Sequence, residues 1–161
     1  MSKTIINIAD APVRDNGDGK TFVAKWGRLG PELGMTGLGC AVHIVPPGKK
    51  AFPFHRHHVT DEIFYVVSGT GEYRIGDQRM PLKAGDIVGA PAGKEAHQII
   101  NTGKDDLHYL GFSTVGSVDV VEYPDSGKVA VAAGIKNADF KTATYVGMGH
   151  IKPAGYFEGE K

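Results

Sequence analysis

The sequence predicts an all-β fold, an antiparallel meander or jelly roll, on three observations. Residues 36–123 break into short apolar runs separated by Gly, Pro, Asp and Asn, the punctuation of strands joined by tight turns. The 161-residue chain carries 23 glycines and 9 prolines, well above the ~12% combined usage of an average protein. No segment of helical periodicity separates the runs, so parallel βαβ units have no support.

The expected strands follow in order. TFVAKWG (21–27) supplies an outer strand, and GLGCAVHIV (37–45), the segment 52–57, EIFYVV (62–67), GEYRI (71–75), DIVGA (86–90), HQII (97–100) and DLHYLGFS (106–113) build the body. Between them PPG (46–48), SGTG (68–71), IGD (75–77), KAGD (83–86) and NTGKDD (101–106) can each reverse the chain, because Gly takes positive φ and Pro and Asp favour turn positions. A domain of ordinary size, ~100–150 residues, accounts for the body, which leaves an N-terminal extension over 1–35 packing on a barrel at 36–123 and a C-terminal extension over 124–161. The last contains the apolar run VAVAAG (129–134) and shows no distinct core pattern.

Composition narrows the function. Lys plus Arg and Asp plus Glu are 18 each, so nothing suggests a polyanionic partner, and nucleic acid is not expected. No run approaches the ~20 apolar residues of a membrane span, and the opening MSKTIINIADAP has no signal-type apolar core. A single cysteine, Cys40, excludes an internal disulfide. These features point to a cytoplasmic protein with neither membrane nor nucleic-acid partner.

Four of the seven histidines, His55, His57, His58 and His97, fall in two short blocks. Side chains alternate across a strand, so His55 and His57 share one face and Arg56 points away. Glu62 opens the next strand and can face the same interior, and His97, after a Pro-Ala-Gly turn, can close the cluster. Three imidazoles and a carboxylate suit a divalent transition metal, Mn, Fe, Co, Ni, Cu or Zn, and in an octahedral shell they leave two positions for water or substrate. Any one of these histidines alone would read as hydrogen-bonded or surface. His58, out of phase, is the reserve ligand. Phe64, with Val66, shares the parity of Glu62 and should wall the cavity next to the metal, as should Tyr73 with Ile75. In DLHYLGFS either His108, Leu110 and Phe112 or Leu107, Tyr109 and Gly111 face inward, so His108 and Tyr109 are alternative proton carriers. His43 is a weaker candidate of the same kind.

These residues resemble the two motifs of the cupins. Gly48, His55, His57, Glu62 and Gly69 match the first, with six residues instead of five before His55. Gly85, Pro91, Gly93, His97 and Asn101 match the second, with three instead of two before His97. Both departures lengthen a loop and keep the spacing of the ligands. EYPDSGK (122–128) and YFEGE (156–160) look similar to single-domain bacterial cupins, some labelled sugar isomerase. The resemblance implies a double-stranded β-helix barrel, metal ligands at His55, His57, Glu62 and His97, and a homodimer.

The expected function is metal-dependent chemistry on a small oxygenated metabolite, a sugar or organic acid, of isomerase, lyase or dioxygenase type. The alternative is a module that binds or senses such a molecule without turnover. A phosphorylated substrate would want an inward Lys or Arg, and by parity Arg56 and Arg74 both point outward.

Overall fold

The computed structural model describes residues 2–136 and 139–161. Residue 1 of the N-terminal extension and residues 137–138 of the C-terminal one lie outside the described residues. The described residues form thirteen strands: β1 (Arg14–Gly17), β2 (Val23–Arg28), β3 (Leu38–Val45), β4 (Arg56–His57), β5 (Glu62–Ser68), β6 (Thr70–Ile75), β7 (Gln78–Lys83), β8 (Ile87–Ala90), β9 (His97–Ile100), β10 (Leu107–Thr114), β11 (Val118–Tyr123), β12 (Lys128–Ala133) and β13 (Tyr145–Gly149). The helical content among them is two 3-10 turns, Ile8–Asp10 and Phe140–Thr142. No helix among them is long and apolar enough to cross a membrane.

The strands form a six-stranded sheet in the order β1-β2-β3-β10-β5-β8, a three-stranded sheet β7-β6-β9 and a four-stranded sheet β13-β12-β11-β4. All ladders are antiparallel. The two smaller sheets are joined through the chain between Gly48 and His57. Gly48 N–H donates to Asn101 O, Asn101 N–H to Lys49 O, and His55 and His97 exchange both backbone bonds at 3.1 and 2.7 Å. The result is a jelly roll of two sheets, with the core of Val45, Phe64, Val66, Tyr73, Leu82, Ile99, Leu107 and Tyr109 between them.

The expected strands are present with shifted ends, apart from 52–57. There the ladder is reduced to Arg56–His57, because Pro53 has no N–H to give and the backbone bends over residues 51–54 before His55 meets His97. Five strands, β1, β7, β11, β12 and β13, were not anticipated. β7 was concealed by Pro81 and its mostly exposed polar residues, a composition tolerated because β7 is a sheet edge. β1, RDNG, reads as a turn, and β11 and β13 hold too little uniform apolar character to announce themselves. The run at 129–134 is strand β12, which extends the sheet from β11.

Gly69 shows why the turn after β5 demands glycine. Its φ is +87°, and a Cβ there would lie 2.6 Å from Asp106 O and 2.9 Å from Leu107 Cα, distances no side chain tolerates. The tight turn delivers the chain from β5 straight into β6, which fixes Glu62 and Tyr73 on facing walls of the same interior.

Candidate metal centre

β4 and β9 place His57 and His97 on either side of Glu62 of β5, and the bridge between residues 55 and 97 adds His55; His97 meets the site through Glu62 and lies outside the tight group that the other three form. Parity accounts for the placement. Glu62, Phe64 and Val66 face in while Ile63 and Tyr65 are exposed, and Arg56 turns out to pair with Glu122. One nitrogen each from His55 and His57 and one oxygen from Glu62 lie within 4.8 Å of one another. Glu62 Oε2 stands 3.4 Å from His57 Nε2 and 3.1 Å from His97 Nε2.

The second ring nitrogens of two of these imidazoles are held. His55 Nδ1 donates to Pro53 O at 2.7 Å, and His57 Nδ1 donates to Asp119 Oδ2 at 2.5 Å. In the neutral ring each bond leaves Nε2 without a proton, the tautomer a metal ligand needs. Thr60 Oγ1 donates to the same Asp119 oxygen at 3.0 Å. Asp119 and Thr60 were missed by sequence reasoning. The available signal was an acid set among valines in VDVV, where burial without a partner would be costly.

The residues fit a cation on an observation of their own. Glu62 Oε2 and both ring nitrogens of His97 are buried and have no hydrogen-bond partner, although Glu62 Oε2 and His97 Nε2 are within 3.1 Å. Buried polar atoms are ordinarily satisfied, and a shared positive ion would satisfy Glu62 Oε2 and His97 Nε2, leaving His97 Nδ1 unpaired. The electrostatics agree. Burial opposes the Glu62 carboxylate, yet the His97 and His57 imidazoles outweigh it and hold the group below its usual range. Burial, then repulsion from His97 and His57, pushes His55 down to about 4, so it is neutral near pH 7. Burial also opposes the His57 cation, but its bond to Asp119 and the charge of Glu62 raise it above the ordinary imidazole value.

The remaining sequence candidates divide by face. His58 lies outside the cluster, with Nε2 3.3 Å from Glu122 Oε1. Phe64 packs against His97 at 5.6 Å between ring centroids, and Tyr73 at 6.2 Å. The Tyr73 hydroxyl is already committed, donating to Gly89 O at 2.9 Å. On β10 the buried face is Leu107, Tyr109 and Gly111. His108 is on the other face, opposite Ile44 and Ser68, so it is not beside the cluster. Tyr109 stacks on His43 with centroids 4.5 Å apart. Burial pushes the Tyr109 and Tyr73 hydroxyls well above the usual phenol value, which leaves both protonated at neutral pH.

Residues 41–113 match the family model described as Cupin domain. Among curated proteins, the chain is 38% identical over 66 residues to the "Oxalate-binding protein" of Thermotoga maritima, covering 41% of this chain and 53% of that one. It thus spans about half the length of the curated relatives it matches. Among solved structures, a protein of Acidithiobacillus ferrooxidans bearing a provisional sugar phosphate isomerase name superposes with a TM-score of 0.78 at 24% identity, over 95% of this chain and 97% of that one. A sugar phosphate isomerase of the cupin superfamily from Silicibacter pomeroyi gives 0.71 at 21% identity, over 79% and 76%. At these identities the structural likenesses establish the fold.

Proposed function

From the match of residues 41–113 to the Cupin domain model, we propose that His55, His57, Glu62 and His97 hold one divalent transition metal, Mn, Fe, Co, Ni, Cu or Zn, and that the protein acts on a small unphosphorylated metabolite, a sugar or organic acid. The observation that carries the reading is the buried Glu62 oxygen set between His57 and His97 without a hydrogen-bond partner. Bound there, the ion would serve as a Lewis acid toward a carbonyl or carboxylate oxygen. The protein's own contribution is orientation and exclusion of water. Asp119 and Pro53 O fix two rings, and Phe64 and Tyr73 cover His97 with apolar surface.

Isomerase, lyase and dioxygenase chemistry all use such a centre. The absence of any buried Lys or Arg among the described residues favours a substrate without phosphate, since a buried phosphate wants a cationic partner. Arg56 and Arg74 are engaged on the outside by Glu122 and Asp125.

A binding or sensing role is the second reading. Its support is that the tyrosines around the cluster, Tyr73, Tyr109 and Tyr123, are all pushed up by burial and stay protonated, and that a curated relative is named for binding oxalate. The family resemblance supports a homodimer, and the outer face of the six-stranded sheet is suited to it. Phe112 lies opposite Ile63, Leu110 opposite Tyr65, and Tyr65 opposite Ile87, with Ile63, Tyr65 and Ile87 exposed. The single cysteine and balanced charge keep a cytoplasmic location as the accompanying proposal.

Elemental analysis of protein purified without chelator tests the metal. A stoichiometric transition metal is expected, and metal-free protein that also fails to take up Mn, Fe, Co, Ni, Cu or Zn would refute the reading. Screening the loaded protein against unphosphorylated sugars, keto acids and catechols then separates turnover from binding.

A further inference from the structure

We propose that His43 contacts the ligand, giving one hydrogen bond to an oxygen of a flat, oxygen-rich molecule of the carboxylate or enediol class held at the candidate metal centre. The inference rests on the metal reading above and extends it to a residue that none of the ligand motifs contains.

His43 lies in the middle of β3, opposite Tyr109 on one side and Trp26 on the other. It is 4% exposed, and its Nδ1 is buried with no hydrogen-bond partner. An imidazole nitrogen always offers either a proton or a lone pair, so burial of this atom unpaired calls for an explanation. Its surroundings supply one. Six rings form a closed circuit, with successive centroid separations of 6.5 Å from His55 to Phe52, 5.5 Å to His43, 4.5 Å to Tyr109, 5.9 Å to Phe64, 5.6 Å to His97 and 4.6 Å back to His55. Two candidate metal ligands stand on one side of this circuit and His43 stands across from them.

Gly111 makes the arrangement possible. A Cβ at that position would come 3.1 Å from His43 Cε1 and 3.3 Å from the Phe64 ring. Glycine therefore lets the imidazole lie over β10 toward Phe64, inside the circuit. A ligand reaching His43 from the candidate metal centre would meet ring faces and edges, which pack best against a flat molecule. With no buried Lys or Arg among the described residues, neutralising a carboxylate falls to the metal, and orienting its far oxygen falls to His43.

The test compares the wild type with His43→Phe and His43→Gln, each loaded with Zn and checked for metal content, by calorimetric titration with oxalate. Phenylalanine keeps the stack on Tyr109 and removes the hydrogen-bonding nitrogen. Expected are unchanged Zn in all three, oxalate affinity at least tenfold weaker in His43→Phe, and partial recovery in His43→Gln. In the Zn-loaded wild type, the His43 imidazole nitrogen resonances should shift on addition of oxalate, a readout that requires no variant to fold. Equal oxalate affinity in loaded wild type and His43→Phe, unshifted His43 resonances, or a loaded wild type that binds no oxalate would each overturn this inference and leave the metal reading standing. A wild type that takes up no metal would overturn both.

Discussion

Asp119 Oδ2 accepts the Nδ1 proton of His57 at 2.5 Å, across 62 residues of sequence. The bond fixes which nitrogen of His57 faces Glu62, and the carboxylate adds electron density to the ring. Substituting Asp119→Asn keeps the volume but removes the charge and permits the opposite tautomer. Metal affinity should fall about 10–100-fold, the usual effect of losing such a supporting partner. Competition with a chromophoric chelator measures it, and an unchanged dissociation constant would remove Asp119 from the account.

His57 and His58 are adjacent and should behave oppositely. His57 Nε2 stands 3.4 Å from Glu62, whereas His58 Nε2 faces Glu122 on the outside at 3.3 Å. His57→Ala should sharply lower bound metal, and His58→Ala should leave it nearly unchanged. Equal losses by elemental analysis would mean that the faces of β4 are assigned the wrong way round.

Much of this was legible in the sequence because alternation is informative when one face is buried. Phe64 and Val66 could be placed inward because they share the parity of the expected ligand Glu62, and Tyr73 apart from Glu72 and Arg74 because β6 mixes apolar with charged residues. Alternation failed where both faces are apolar. In β10, Leu107 and Tyr109 compete with Leu110 and Phe112, and only pairing with β3 and β5 decides which set faces in. Asp119 lay beyond local reading for another reason, since its partners on β4 and at Thr60 are brought to it by tertiary pairing. The short β4 reflects Pro53, whose effect on the ladder depends on where the neighbouring strand runs.

The metal-free protein should lose stability as pH falls from about 6.5 to about 4. Burial holds both His43 and His55 at about 4 in the folded state, against ~6.5 for an unperturbed imidazole. Between those values the unfolded chain binds more protons than the folded one, so its free energy falls and unfolding becomes easier. His57 does not cancel this. Its folded value is raised, so its contribution is fully present below ~6.5 and is lost only as pH rises through that raised value. Thermal melts of chelator-treated protein at pH 7 and pH 5 should show the lower midpoint at pH 5, and His43→Phe should narrow the gap. An equal gap would show that His43 does not titrate in this window.

Association should depend on the outer face of the six-stranded sheet. Ile87, 69% exposed, lies beside Tyr65, and Ile63, 51% exposed, lies beside Phe112, so apolar side chains from β8, β5 and β10 form one continuous surface. Such a surface is costly in water and matches the apolar centre of a two-fold interface, where each residue meets its own equivalent set. Sedimentation should give twice the 17.1 kDa chain mass. Ile87→Lys or Ile63→Asp should shift it toward the single chain, because the two-fold axis places the new charge twice in the buried patch, where like charges are desolvated together. The metal ligands face the opposite side of β5, so metal content should be retained in the dissociated variants. A wild type sedimenting as one chain, or variants that remain dimeric, would show that this face is not the contact.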